Sequence, residues 1–393
     1  MLSFLSKNVL LNTFLRLFGI SVKAFSILWL ANIVEENVFK EYGILSGAIP
    51  FMVILLGFDI YIFFQRDSEY LSPSKGMISK QFSFYITVYL IVLIVGFALA
   101  VMLKNSIVFF IIILGILDHY FHETFRLANF QGRYLLASVM HVIKSTFWIL
   151  TLLLLWFFGE MRITMNVIVV LYFIFTLLST FILQYFLRLV LDIRLYTFQK
   201  IWGQIKSAQI LFFNALIWRT LLSYDRIYVS SHFNSLAAEY IVSSQIALLI
   251  FVLFDASFVS IAYPGLVKNF NKSSYRSYVI KALGVLSLLL VIFASIFPII
   301  KYLRIDINYF DDYLLYLLIL FFYVLISLNT LVDTGLILQF SERLLFKRNL
   351  ILFFVIVGLM YLVDVNLFSR LIIVIGLLFL WILIKLKESV RIL

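Results

Sequence analysis

Cysteine is absent from this sequence, so disulfides and thiolate metal sites are excluded. Charge is scarce: 13 % of residues are Asp, Glu, Lys or Arg, against 64 % apolar residues and a mean hydropathy of +1.09. A soluble chain of this length has no way to hide so much apolar surface, so its solvent must be lipid. The strict alternation of a membrane β-strand is also missing, which leaves helices as the spanning element. Proline occurs only four times. One of the four, Pro50, falls inside a predicted span, where it removes a backbone hydrogen bond and permits a bend, moving or static. Long polar loops are lacking too, so no extramembrane domain is expected to host chemistry.

What is present is a succession of apolar runs, each long enough for a helix to cross a hydrocarbon core of roughly 30 Å. Twelve spans are predicted, over residues 9–33, 42–65, 81–103, 106–127, 134–158, 165–187, 207–230, 239–262, 281–300, 313–337, 349–363 and 366–384. Only Asp364 and Asn366 mark the break between the last two. The first run is too long for a cleaved signal peptide and carries Arg16 and Lys23, so it is expected to remain as an anchor.

The formal net charge of +11 does not point to nucleic acid, because the basic residues are not clustered. Lys and Arg recur at the N-terminus, the even-numbered turns and the C-terminus, where they far outnumber those on the opposite side. The positive-inside rule then places both termini in the cytoplasm. The longest connection, around residues 188–206, is cytoplasmic on this topology, and its segment 189–202 has the amphipathic pattern of a helix lying on the membrane surface.

That connection also falls between two similar halves. Glu41-Tyr42, then Ser46, then Phe58-Asp59 is echoed by Glu239-Tyr240, Ser244 and Phe254-Asp255 about half the chain later. The expected organisation is an N-terminal six-helix lobe (1–190), a connector (191–206) and a C-terminal six-helix lobe (207–393).

Ionisable residues at bilayer depth are the functional candidates, since each costs several kcal/mol to place there. Arg16 and Lys23 share one face of the first span. Arg16 lies near the depth of Asp59, which allows an ion pair, while Lys23 has no evident partner and suits an aqueous cavity. Spans four and five form a hairpin through the turn FQGR, which brings Asp118 and Lys144 to one depth, with His122, Glu123 and His141 closer to the turn. Asp118 and His122 are i,i+4 neighbours, as are His119 and Glu123. Two readings stay open for this cluster: proton carriage, since a histidine beside a carboxylate titrates near neutral pH, or an ion-pair network pinning two helices. The ligand spacing matches no defined metal motif. In the second half Arg219 is near mid-membrane, Asp255 lies toward the cytoplasmic side, and Asp333 is shallow enough to be expected in water. Basic charge at mid-depth in both halves would attract phosphate, for which Arg offers bidentate geometry.

Three stretches carry a family resemblance. They are FGISVKAFSILWLANIV with EYGILSGAIPFMVILLGFDIYIFFQRD, then RLANFQGRYLLASVMHVIK, and SYDRIYVSSHFNSLAAEYIVSSQIALLI. The order of these features resembles the Wzx-type polysaccharide flippases of the multidrug/oligosaccharidyl-lipid/polysaccharide (MOP) exporter superfamily. A Glu precedes Tyr42 and Tyr240 where that pattern would have Gly. The resemblance implies an all-α, MATE-like fold with two six-helix lobes related by a pseudo-twofold axis along the membrane normal. It implies a multi-pass protein of the bacterial inner membrane that moves undecaprenyl-pyrophosphate-linked oligosaccharide to the periplasmic leaflet by alternating access, for O-antigen or capsule-type polysaccharide. Arg16, Lys23, Arg219 and Lys144 are then candidate substrate contacts, and Asp59, Asp118, His122, Glu123, His141 and Asp255 candidates for gating or ion coupling. No cofactor is expected, and proton and sodium are the candidate coupling ions. The lipid-linked oligosaccharide and membrane lipid are the expected partners, with a polymerase and a chain-length regulator as further ones. Three other readings compete. A repeat-unit polymerase would need a large periplasmic catalytic loop, which the spacing of the spans does not leave. A membrane acyltransferase would need a positioned base, for which His119, His122 and His141 are the candidates. A drug–cation antiporter is disfavoured by the mid-depth basic residues.

Overall fold

The computed structural model describes residues 14–15, 18–19, 21–22, 26, 28–57, 75–104, 106–131, 133–159, 162–187, 202–203, 206, 209–210, 212–217, 220, 228–229, 236–254, 258–259, 262, 266, 271–303, 310–338, 342–362 and 366–392. Among these residues every long element is helical: α1 (Glu36–Gly57), α2 (Lys75–Leu103), α3 (Ser106–Phe130), α4 (Tyr134–Gly159), α5 (Met165–Leu187), α6 (Ala237–Phe254), α7 (Lys272–Tyr302), α8 (Tyr313–Leu338), α9 (Glu342–Leu362) and α10 (Leu367–Ile392). Nine of them are long and apolar enough to cross a membrane. The exception, α9, carries Glu342, Arg343, Lys347 and Arg348 in its first turns. Ten of the twelve predicted spans thus correspond to helices, and the predicted break at 364–366 separates α9 from α10. The first and seventh spans are described only in part, and most of the connector 191–206 lies outside the described residues.

The chain divides into two compact units, Met1–Gly19 with Glu41–Ile227, and Ile20–Lys40 with Tyr228–Leu393. In the first, α3 packs against α2, α4 and α5, and α5 packs in turn along α4. Phe84, Tyr85, Val88 and Tyr89 of α2 bury with Leu56 of α1, while Phe121, Leu127 and Ala128 of α3 bury with Ala137 and Met140 of α4 and Leu183 and Leu187 of α5. Small residues allow the tightest approaches. A Cβ added to Gly115 would stand 2.6 Å from Met52 Cβ, so α1 and α3 meet closely only because that side chain is missing. Residues 143–147 of α4 form a single π turn, one residue wider than an α turn. Lys104, in the turn between α2 and α3, takes a positive φ of 50°.

In the second unit α8 is central, packing against α6, α7, α9 and α10. Its most apolar window is 72 % buried, as is that of α6, whereas that of α7 is only 22 % buried. The exposed part of α7 is Leu288, Val291, Ile292 and Ile299, just as α2 exposes Ile91, Ile94, Val95 and Phe97. Such faces belong against acyl chains, in keeping with the composition. Asn271 caps α7 in a reciprocal capping box with Ser274, and Asp312 caps α8 by accepting from Leu315 N.

The sequence echo between the halves has a local structural counterpart. Tyr42 and Tyr240 are both buried. Ser46 Oγ donates to Gly43 O at 2.8 Å and Ser244 Oγ to Ile241 O at 3.0 Å, the same bond back to the carbonyl three residues earlier. Glu239 ties the start of α6 to the N-terminus of α8, because its Oε1 accepts from the backbone N–H groups of Asp311 and Asp312. A carboxylate there also meets the positive end of the helix dipole.

Candidate functional site

Within the first unit, one face of α3 carries Asp118, His119, His122, Glu123 and Arg126. Helical spacing puts 118, 122 and 126 on one line and 119 and 123 on the next. The neighbouring helices supply partners for each line, making two hydrogen-bonded groups with a histidine between them.

The first group is built around Asp118. Lys144, from the π turn of α4, forms an ion pair with its Oδ1, and Tyr172 of α5 donates to the same oxygen at 2.8 Å. His122 Nε2 stands 3.4 Å from Oδ2. Lys144 also lies over the Phe121 ring, 4.5 Å from its centroid. Both charges are buried, so the pairing meets the need to compensate a charge at this depth. The predicted meeting of Asp118 and Lys144 across the hairpin is observed. Lys144, considered from sequence as lining for a cationic cavity, has its charge matched by Asp118.

The second group is built around Glu123. Arg126 pairs with Oε1 at 2.5 Å, while Gln81 Nε2 and the Tyr85 hydroxyl of α2 reach Oε2 at 2.9 and 3.2 Å. Gln81 also reaches Tyr85 at 3.2 Å. These partners come from α2 and α3, and Glu123 is buried among them.

His119 lies beside this group. Its Nδ1 shares a 2.5 Å hydrogen bond with Tyr89 Oη, and its ring meets those of Tyr85 and Tyr89 edge-on at 4.7 and 5.6 Å. Nε2 is buried without a hydrogen-bond partner, 3.8 Å from Glu123 Oε1. The ring reaches that place because Gly57 of α1 has no side chain; a Cβ there would come within 2.7 Å of Nε2. His141 sets its imidazole against Phe125 and Phe121, with centroids 5.5 and 6.3 Å away.

Several members of this site were not anticipated: Gln81, Tyr85 and Tyr89 of α2, and Tyr172 of α5. The first three recur at i, i+4 and i+8, a polar stripe in an otherwise apolar helix, which is the signal that would have found them. Arg16, Lys23, Asp59, Arg219 and Asp255 lie outside the described residues, and so does the expected Arg16–Asp59 pair.

The second unit holds a different polar centre. Lys385 of α10 is fully buried and donates to Asn329 Oδ1 at 2.8 Å, to Asp333 Oδ1 at 2.7 Å and to Asn349 Oδ1. Asn329 Nδ2 and Asn349 Nδ2 both donate to Asp333 Oδ2, at 3.1 and 3.2 Å. Asp333, expected in water, is instead only 5 % exposed, because α9 and α10 cover it. Lys385, counted from sequence among the cytoplasmic tail charges, is part of the core. The i,i+4 pair Asn329 and Asp333 on one face of an apolar helix was the available sign.

Among the described residues no group of three or more His, Asp or Glu is placed to hold a metal ion. A comparison with protein-family profiles returns no match, and neither does one with curated protein sequences. Among solved structures the chain is similar to the crystal structure of the eukaryotic MATE transporter AtDTX14, with a TM-score of 0.45 and 12 % identity over 98 % of this chain and 90 % of that one.

Proposed function

We propose that this chain is a membrane transporter of the MOP exporter type, and within it a flippase for undecaprenyl-pyrophosphate-linked oligosaccharide. The observation that carries the reading is where the ionisable groups lie. Asp118, Glu123 and Lys144 are held between helices, at depths where a purely structural membrane protein has little reason to keep charge. On the face opposite the predicted cytoplasmic side, the described connections are short: Leu103 to Ser106, Gly159 to Met165, Tyr302 to Tyr313 and Leu362 to Leu367. A polymerase with a large catalytic loop does not fit between such ends. The sequence resemblance supplies the substrate class, and the basic residues expected at mid-depth in both halves suit a pyrophosphate group.

In this proposal the α2–α5 cluster is the gating or ion-coupling element. Asp118 and Glu123 are held by donors from α2, α4 and α5, so any change in their protonation alters what binds those helices to α3. The cationic contacts to the substrate fall to Arg16, Lys23 and Arg219, with Lys144 engaged by Asp118. The deciding experiment is a strain lacking this protein, scored for where its lipid-linked single repeat unit accumulates. Units trapped on the cytoplasmic leaflet support the flippase. Single repeats found outside but unpolymerised would instead make the protein a polymerase.

A further inference from the structure

We propose that Asn329, Asp333 and Asn349 form a monovalent-cation seat inside the second unit, and that the Lys385 ammonium group is its resident cation. This inference is independent of the transported substrate.

The count of atoms is the first argument. An ammonium group has three protons and no acceptor, and Lys385 Nζ finds three separate side-chain oxygens: Asn329 Oδ1, Asp333 Oδ1 and Asn349 Oδ1. Two carboxamide oxygens and one carboxylate oxygen converging on a point are ligands of the kind a hard cation takes, three of the several it needs.

The orientation of the amides is the second. A carboxylate only accepts, so the two NH2 groups beside Asp333 Oδ2 must be donors, and that settles which way each amide faces. Each Asn is thereby turned with its oxygen toward Nζ. A simple ion-pair staple needs Asp333 alone; here two further side chains are fixed with their oxygens inward before the cation is considered.

Lys144 is held differently. That ammonium has Asp118 on one side and the Phe121 ring on another, a pairing with no oxygen cage. The Lys385 seat is buried on every side: Asn329 and Asn349 are fully buried, as is Lys385 itself. Its oxygens come from α8 and α9 and its cation from α10, so the seat is assembled only when those three helices pack. With Asp333 neutralised from within, the second unit has no need of a cation from solution at this place. Shortening Lys385 leaves a buried seat with three oxygens and one negative charge, which should then recruit a free ion of suitable size.

The test is thermal unfolding of the full chain in detergent, wild type and Lys385→Ala, in sodium, potassium, methylammonium and choline chloride at equal ionic strength. The wild-type Tm in each salt is the baseline, since a coupling ion bound elsewhere acts on wild type and variant alike. Lys385→Ala should unfold lower in choline and recover in at least one of the smaller cations, with Tm rising as the logarithm of that cation's concentration above its Kd. Adding Asp333→Asn to Lys385→Ala should abolish the recovery. Equal destabilisation of Lys385→Ala in all four salts overturns the proposal and leaves Lys385 as a staple. So does a recovery that survives Asp333→Asn. If Lys385→Ala does not accumulate, cells are extracted directly into each salt and the yield of monodisperse protein is read in the same way; no folded protein in any salt overturns the proposal too.

Discussion

Among the described residues each unit buries one Lys–Asp pair, and the two pairs are finished differently. Lys385 and Asp333 sit in a closed set in which every donor of the ammonium group and both oxygens of the carboxylate are used. Lys144 and Asp118 sit in an open one: His122 at its margin is only partly buried, and in the neighbouring group His119 Nε2 has no hydrogen bond at all. A closed network fixes one arrangement, because any movement strands a polar group in a medium of low dielectric. An open one has somewhere else to go. The difference suggests a division of labour, with the second unit's centre holding helices together and the first unit's centre able to rearrange.

Removing one member of the closed set should have the largest effect. Asp333→Ala leaves the Lys385 ammonium buried without a counter-charge and should cost about 3–5 kcal/mol, read as a large fall in Tm. The double change Asp333→Leu with Lys385→Met should cost less than either single change, since an apolar pair of similar size strands no charge. In the open set Lys144→Met should cost less, about 1–3 kcal/mol, because Tyr172 and His122 remain to satisfy Asp118. Equal losses for Asp333→Ala and Lys144→Met would erase the contrast.

Gly57→Ala sharpens it from the other side. The added Cβ meets His119 Nε2, so the ring must shift, at a cost of about 1–3 kcal/mol. On the proposed function, export of the lipid-linked repeat should fall beyond what the loss of folded protein accounts for, and His119→Ser in the same chain should restore the stability by making room. A Gly57→Ala protein that exports normally would remove His119 from the working part of the site. The smallest expected effect lies outside both centres. Lys104→Gly relieves a positive φ and should raise stability by about 1 kcal/mol with export unchanged.

Much of the fold could be read from the chain, because the length of an apolar run is set by the bilayer and survives in the sequence. The ends of α2, α3, α4 and α5 fall within a few residues of the predicted spans for that reason, apart from the start of α2 at Lys75, which lies below the apolar run. The Asp118–Lys144 meeting was also readable, since a short turn between antiparallel helices puts residues equally far from it side by side. Contacts across sequence-distant helices were not. Nothing local tells that Gln81 faces Glu123 or that Lys385 faces Asp333, because each depends on how helices are rotated about their axes. Lys385 was misplaced for a related reason: a lysine just past an apolar run looks like an anchor in water, and only the neighbouring α8 and α9 show that it points inward.

The π turn at residues 143–147 amounts to an insertion already absorbed. One extra residue in a helix turns everything beyond it by about 100°. The half of α4 before the turn lies against α3 and α5, while the half after it lies along α5. The wider turn takes up the extra residue locally, so the residues on either side keep their faces. A single deletion within 143–147 would return an ordinary α turn with Trp148, Ile149 and Leu152 still in place, and would change the bulge itself, from which Lys144 reaches Asp118. Sequences related to this one should therefore be able to lose one residue at this point and keep the span, at the cost of the projection that carries Lys144 to Asp118.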